Sequence, residues 1–119
     1  GKKFIHIHPG KLPDYRGSTC FYYSLLDNGF CSCTAFIMDE NLDSGKIIYQ
    51  KDFHPPPKVD FDNIFDPWMR ADTLCDLLEN NDFECDIRLY NNDLSKSTMY
   101  YIIHPVLKHL AIIKNNNEV

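Results

Sequence analysis

In the stretch IHIHPG, His6 and His8 stand on alternate residues, and the acidic turn DENLDSG further along carries Asp43. Alternate residues of a strand share a face, so the two imidazoles are expected to point to the same side. Three chemistries compete for them. As metal ligands they form a His-x-His pair, with Cys31 and Cys33 supplying the other corners of a tetrahedron if the strands are neighbours. As structural residues, His6 is a half-buried strand side chain and His8 an anchor for the loop backbone. As an acid–base device, a histidine with an ordinary pKa near 6.5 works best beside a carboxylate that fixes its tautomer and stabilises its protonated form. Asp43 lies at the end of a strand that can run beside the first. Without CxxC or HxxxH spacing the metal pattern is a weak one, so no metal is expected and His6 is expected not to be a ligand.

The elements that must position these residues are legible from periodicity and punctuation. Phe4 to Ile7 alternates like a short strand and stops at Pro9. Pro9, Gly10, Pro13 and Gly17 are expected to exclude both helix and ladder over residues 9–17. Ser18 can cap a helix running to about Asp27, with Gly29 as its stop. Cys33 to Met38 reads as a buried strand and KIIYQKDF after Gly45 as another, joined by an exposed acidic turn in a hairpin-like pair. His54-Pro55-Pro56-Pro57 is extended. Asp66 and Pro67 open a helix over about 67–79, whose periodic face is Trp68, Ala71, Cys75 and Leu78. Phe83 to Leu89 and Met99 to Ile103 are expected strands, and Asn115 to Val119 a frayed tail.

Composition narrows the function classes. The 119 residues, 44% hydrophobic, allow one packed core rather than two. Seventeen acidic residues stand against 12 Lys and Arg, a formal charge of −5 with no basic run beyond Lys2–Lys3. Phosphate recognition needs clustered cations, so nucleic acid is not an expected partner. No apolar run approaches the length of a membrane span, and a soluble, cytoplasmic protein is expected. The five cysteines are expected to be free, mostly as small core residues.

HPGKLPDYRGS followed by a helix, then TAFIMDENLDSGKIIYQ, resembles the signature of the folate-dependent formyltransferase family, which includes glycinamide ribonucleotide, methionyl-tRNA and sugar-amine formyltransferases. The family pattern is Asn-x-His-Pro/Gly-Ser-x-Leu-Pro-x-x-x-Gly with Asp-x-Gly further on, and the match is good over residues 4–53 and loose over 54–119. The resemblance implies an enzyme with His8 as the catalytic histidine that handles the proton of the attacking amine, and Asp43 as its orienting carboxylate. It implies 10-formyltetrahydrofolate as formyl donor, with Asp39, Glu40, Asn41 and Leu42 lining the pteridine pocket. Tyr15 and Arg16 read as loop anchors. His6 occupies the place of the family's Asn, so a neutral imidazole N–H stands where an amide would donate to the formyl oxygen.

The expected fold is α/β: the latter half of a Rossmann-like formyltransferase catalytic domain, a mixed sheet with flanking helices, over residues 1–119. An upstream half is expected to be absent, leaving a strand edge to be covered by that half or by self-association. The expected reaction is formyl transfer to a small-molecule amine, an amino sugar before a glycinamide nucleotide, and with this charge and no added basic domain not a tRNA. The alternative is a non-catalytic formyltransferase-like binding module, or an inactive fragment.

Overall fold

The computed structural model describes residues 2–81 and 87–117. Its main sheet holds β1 (Ile5–His8), β3 (Cys31–Ile37) and β4 (Ile47–Phe53) in the order β1-β3-β4, antiparallel throughout. A second sheet pairs β2 (Tyr15–Gly17) with β5 (Thr98–Tyr100) in parallel. Among the described residues the α-helices are α1 (Cys20–Asn28), α2 (Asp66–Asn80) and α3 (Pro105–Asn117). The α/β class expected from sequence is observed, with parallel and antiparallel pairings in separate sheets.

β3 is central and buried along nearly its whole length, and its two buried polar residues are satisfied, the Ser32 hydroxyl donating to Asp52 and the Thr34 hydroxyl to the Gly10 carbonyl. Its register sets His8 opposite Thr34 and His6 opposite Phe36. Phe21, Tyr22 and Leu25 of α1, Cys31 and Cys33 of β3, and Phe53, Phe61, Phe65 and Met69 form the principal core. Among the described residues β1 pairs on one side only, so one of its backbone edges is open.

Several expectations are corrected. Residues 15–17 do form a ladder, because the last proline of the loop precedes them and Gly17, at φ +102°, lets the backbone close on Tyr100; a Cβ there would lie 2.1 Å from the Tyr100 carbonyl oxygen. The residue before α1 is Thr19 rather than Ser18, and its side chain caps nothing. Its hydroxyl instead donates to the Ser18 carbonyl and accepts from the Ile103 N–H at 3.0 Å, tying the 101–103 segment to the helix start. The C-terminal segment is not a frayed tail over 115–117 but the last turn of α3. Asn115 is buried and donates to the Pro56 carbonyl at 3.0 Å, while Asn116 accepts from Lys58 N–H, so the asparagines fasten the proline segment. Residues 82–86 lie outside the described residues and with them most of the strand expected over 83–89; residues 87–89 are not strand, and Tyr90 bridges to Ile47.

The largest correction concerns α2. Its expected apolar face, Trp68, Ala71, Cys75 and Leu78, is exposed, whereas Met69, Thr73 and Leu77 are buried. A π-helical turn at Phe61–Phe65 leads into the helix and buries both phenylalanines, which sets the phase so that Phe65, Met69, Thr73 and Leu77 face the core at steps of four. Thr73 is tolerated there because its hydroxyl donates to the Met69 carbonyl at 2.8 Å. Of the cysteines, Cys20, Cys31 and Cys33 are buried and free as expected; Cys75 is free but exposed, and Cys85 lies outside the described residues.

This helix phase has a direct test. Leu77, with no exposed surface, should cost about 2–5 kcal/mol on Leu77→Ala, while Leu78→Gln, at a side chain 56% exposed, should stay within about 0.5 kcal/mol. Urea unfolding of both variants decides it; the reverse ranking would mean the sequence-expected face is the buried one.

Candidate active site

His8 ends β1 and is 2% exposed. Its Nε2 lies 2.8 Å from the Tyr15 carbonyl oxygen. A carbonyl only accepts, so Nε2 carries the hydrogen and Nδ1 keeps a lone pair. That lone pair faces Asp43, with Nδ1 and Oδ2 3.8 Å apart. Burial pushes the His8 pKa below its ordinary 6.5, while the Asp43 carboxylate and the Tyr15 carbonyl pull it back up. The result is a neutral base whose protonated form has a carboxylate waiting beside it.

The loop bearing His8 is shaped to make this bond. Gly10 sits so close that a Cβ would lie 2.7 Å from His8 Nε2 and 2.8 Å from Cys20 Cβ. The buried Thr34 hydroxyl donates to the Gly10 carbonyl at 2.7 Å and accepts from Leu12 N–H at 3.2 Å, stitching the loop to β3. Gln50 of β4 adds a bond to the Leu12 carbonyl at 2.6 Å.

Asp43 is 6% exposed and holds a left-handed backbone, φ 52°. Its Oδ2 accepts from Gly17 N–H at 3.0 Å. Its carbonyl accepts from Asn92 Nδ2 at 2.7 Å, and the same amide donates to the Gly45 carbonyl at 3.0 Å. Arg16 donates through Nη2 and Nε to the Leu42 carbonyl, 2.6 and 3.2 Å away, and through Nη1 to Ser97. Arg16 and Tyr15 are therefore anchors, as expected; the Tyr15 hydroxyl donates to Asp27 at 2.7 Å and its ring stacks on Tyr100. Sequence reasoning missed Asn92 in this role, since nothing local marks an asparagine that reaches back to a turn so distant in the chain.

His6 is half-buried, with its ring edge-on to Phe36. It opens with His8 and Asp43 into one cleft of about 440 Å³, which Asp66 and Arg70 of α2 also line. Those α2 residues pair with each other, Arg70 Nε donating to Asp66 Oδ1 at 3.0 Å. Their presence at the cleft was not foreseen, because it follows from how α2 packs across β1 and β3. The four residues matched to the pteridine pocket share one turn but do not all line one cleft. Leu42 lines this cleft, and Asp39 lines an adjacent polar one with Lys46 and Asn92. Glu40 and Asn41 line neither and are exposed. Asp39 holds the turn, accepting from Asn41 N–H at 2.9 Å and from Ser44, bonds that keep its carboxyl below the usual aspartate range.

Cys31 and Cys33 do not join the histidines. Both thiols are buried in the principal core, Cys31 against Met69, and burial pushes each pKa up to about 12, the protonated form that metals do not bind.

Residues 1–66 match the model of the formyl transferase family. A methionyl-tRNA formyltransferase of Syntrophus aciditrophicus (strain SB) is 35% identical over 63 residues, 52% of this chain and 20% of that protein. HypX from Aquifex aeolicus, crystallised with tetrahydrofolic acid, superposes with a TM-score of 0.65 at 17% identity over 97% of this chain and 22% of its own. PseJ from Anoxybacillus kamchatkensis, crystallised with a UDP-formamido sugar and tetrahydrofolate, gives 0.62 at 19% identity over 82% and 52%. A sugar N-formyltransferase from a Shewanella species gives 0.62 at 20% identity over 95% and 51%. At these identities the structures establish a shared fold. This chain spans about half the length of the two sugar enzymes and about a fifth of the other two proteins.

The His8 geometry predicts an observable tautomer. Long-range ¹H–¹⁵N spectra should show neutral His8 protonated at Nε2 alone, with the ring more than half neutral at pH 6.5, where a free histidine is half charged. Because the folded state disfavours this proton, the unfolded chain binds more of it below pH 6.5, and the His8 contribution to stability falls as the pH drops. An Nδ1–H tautomer, or titration at or above 6.5, would contradict the geometry.

Proposed function

The chain belongs to the formyl transferase family, and on that premise we propose that it supplies the proton-handling side of an active site that moves a formyl group from 10-formyltetrahydrofolate to a small-molecule amine, an amino sugar in the first place. The observation that carries this reading is the His8 Nδ1 lone pair, locked by the Tyr15 carbonyl, facing Asp43 in a cleft.

The chemistry needs one proton moved and one charge stabilised. The amine nitrogen bonds to the formyl carbon, the carbon's bond to the folate nitrogen breaks, and one proton passes from the amine to that departing nitrogen. His8 Nδ1 takes the proton as the amine attacks, and Asp43 stabilises the imidazolium until the proton is returned, which is the positioned acid–base work that contributes about 10²–10⁴ in rate. His6, in the same cleft, is the donor to the formyl oxygen as negative charge develops there, a role worth about 3–4 kcal/mol where such a donor is well placed. For the donor itself, the Leu42 carbonyl is taken by Arg16 and the Asn41 N–H by Asp39. Within Asp39, Glu40, Asn41 and Leu42, the pteridine would be met by the backbone groups outside those two bonds and by the exposed Leu42 side chain.

The acceptor is proposed from charge and from neighbours. A chain of formal charge −5 suits a small amine better than tRNA, and PseJ, a structural neighbour, was crystallised with a formamido sugar nucleotide. Free buried thiols suit a reducing compartment, and a cytoplasmic location is part of the proposal; among the described residues no helix is long and apolar enough to cross a membrane.

The open edge of β1 supports the further proposal that this chain is the latter half of a Rossmann-like catalytic domain, whose sheet continues through β1 into an upstream half. Much of an enzyme's rate comes from holding both reactants, up to about 7–11 kcal/mol, so half a donor pocket should turn over poorly. Amine formylation, followed by mass with amino sugars and amino nucleotides, should be weak or absent for the 119-residue chain and recovered when the upstream strands and helices are restored. In that longer protein His8→Ala or Asp43→Asn should lower the rate at least about 100-fold. Equal rates from both lengths would refute the half-site reading, and no transfer by the longer protein would favour a non-catalytic binding module.

A further inference from the structure

We propose that His6, His8 and Asp43 form a binding site for a single divalent transition-metal ion of the zinc class. One ligand atom from each of the three lies within 4.8 Å of the others. Zinc takes imidazole nitrogen at about 2.0–2.1 Å and carboxylate oxygen at about 2.0–2.2 Å, which puts ligand atoms of a formed tetrahedral site about 3.3 Å apart. His8 Nδ1 and Asp43 Oδ2, at 3.8 Å, need to close by only a fraction of an ångström. Three protein ligands leave a fourth position, and it opens into the cleft, where water can occupy it.

The surroundings are those a metal site requires. A ligating histidine holds its orientation by donating its other ring N–H to a fixed acceptor, and His8 does so to the Tyr15 carbonyl, leaving Nδ1 free to bind. Asp43 is in turn oriented by the Gly17 N–H. The expectation of no metal rested on the weak spacing of a His-x-His pair that had to be joined by Cys31 and Cys33; those thiols are in the core, and Asp43 stands beside the histidines instead. His6 is the residue that completes the set, since the family pattern has an amide at this place and an amide is a poor ligand for such ions beside imidazole.

Occupancy and catalysis exclude each other, because the ion takes the Nδ1 lone pair that would receive the amine proton. This consequence rests on the formyl-transfer reading; the binding site does not.

Titration of the metal-free chain with Zn²⁺ against a chromogenic chelator should show saturable binding of one ion per chain, weakened at least about tenfold by His6→Asn. The variant His104→Ala/His109→Ala, which removes exposed histidines at and near α3, should bind as the unaltered chain does. Co²⁺ offers a readout independent of any variant's folding: visible ligand-field absorption without a near-ultraviolet thiolate band marks a nitrogen and oxygen set. Absence of saturable binding, unchanged binding in His6→Asn, or a thiolate band would overturn the site. With the longer, active protein, saturating Zn²⁺ should abolish transfer and a chelator restore it. Full activity with metal bound would overturn the exclusion. Metal binding without transfer in any form of the protein would remove the enzyme reading and leave the metal site standing.

Discussion

The hydrogen bond from His8 Nε2 to the Tyr15 carbonyl is the constraint on which the rest of the site depends. It decides the tautomer of a buried imidazole, and so decides which nitrogen faces Asp43. It also draws the end of β1 against the start of β2, which requires the loop between them to double back over β3. Thr34 and Gln50 hold that loop down from the sheet, and Gly10 leaves the space that any larger residue would fill with atoms in contact with the ring. Burial makes the bond firm and the histidine neutral through the same physics: a desolvated ring loses affinity for a proton and cannot leave its one N–H unpaired.

Asp43 is held by a different logic. Its turn is exposed and acidic, and no core contact fixes it. Polar groups from two other segments do: from β2, Gly17 N–H on the carboxylate and Arg16 on the neighbouring Leu42 carbonyl, and from the segment before β5, Asn92 on the carbonyl. The left-handed backbone at Asp43 has its cost offset by these bonds. Residues 91–98, beyond the segment matched by the family model, thus complete the support of a residue inside it.

The chain keeps much apolar surface outside its cores. Trp68 and Leu78 of α2, Ile102 before α3, and Val106 and Leu110 on α3 are all exposed, on top of the open edge of β1. Isolated exposed apolar residues are ordinary in folded proteins; here α2 and α3 each expose several, and among the described residues β1 keeps one edge unpaired.

What the sequence determined by itself was local and chemical. Alternation placed His6 and His8 on one side of β1, breakers placed the loop, Gly29 ended α1, and the two motifs carried the family resemblance along with His8 and Asp43. These features are set by residues within a few positions of one another, so they can be read in order. The tertiary structure decided the rest. Trp68-Ala71-Cys75-Leu78 and Phe65-Met69-Thr73-Leu77 are both regular stripes on one helix, and only packing beneath the turn at Phe61–Phe65 selects the second for the core. The pairing of β2 with β5, the reach of Asn92 to Asp43 and the meeting of Asp66 and Arg70 with the His8 cleft join residues far apart in the chain. Protonation belongs here too. Nothing in IHIHPG states which nitrogen of His8 bears its hydrogen, because the Tyr15 carbonyl, the Asp43 carboxylate and the exclusion of water all come from elsewhere in the fold, and a pKa is a sum over whatever the fold brings near.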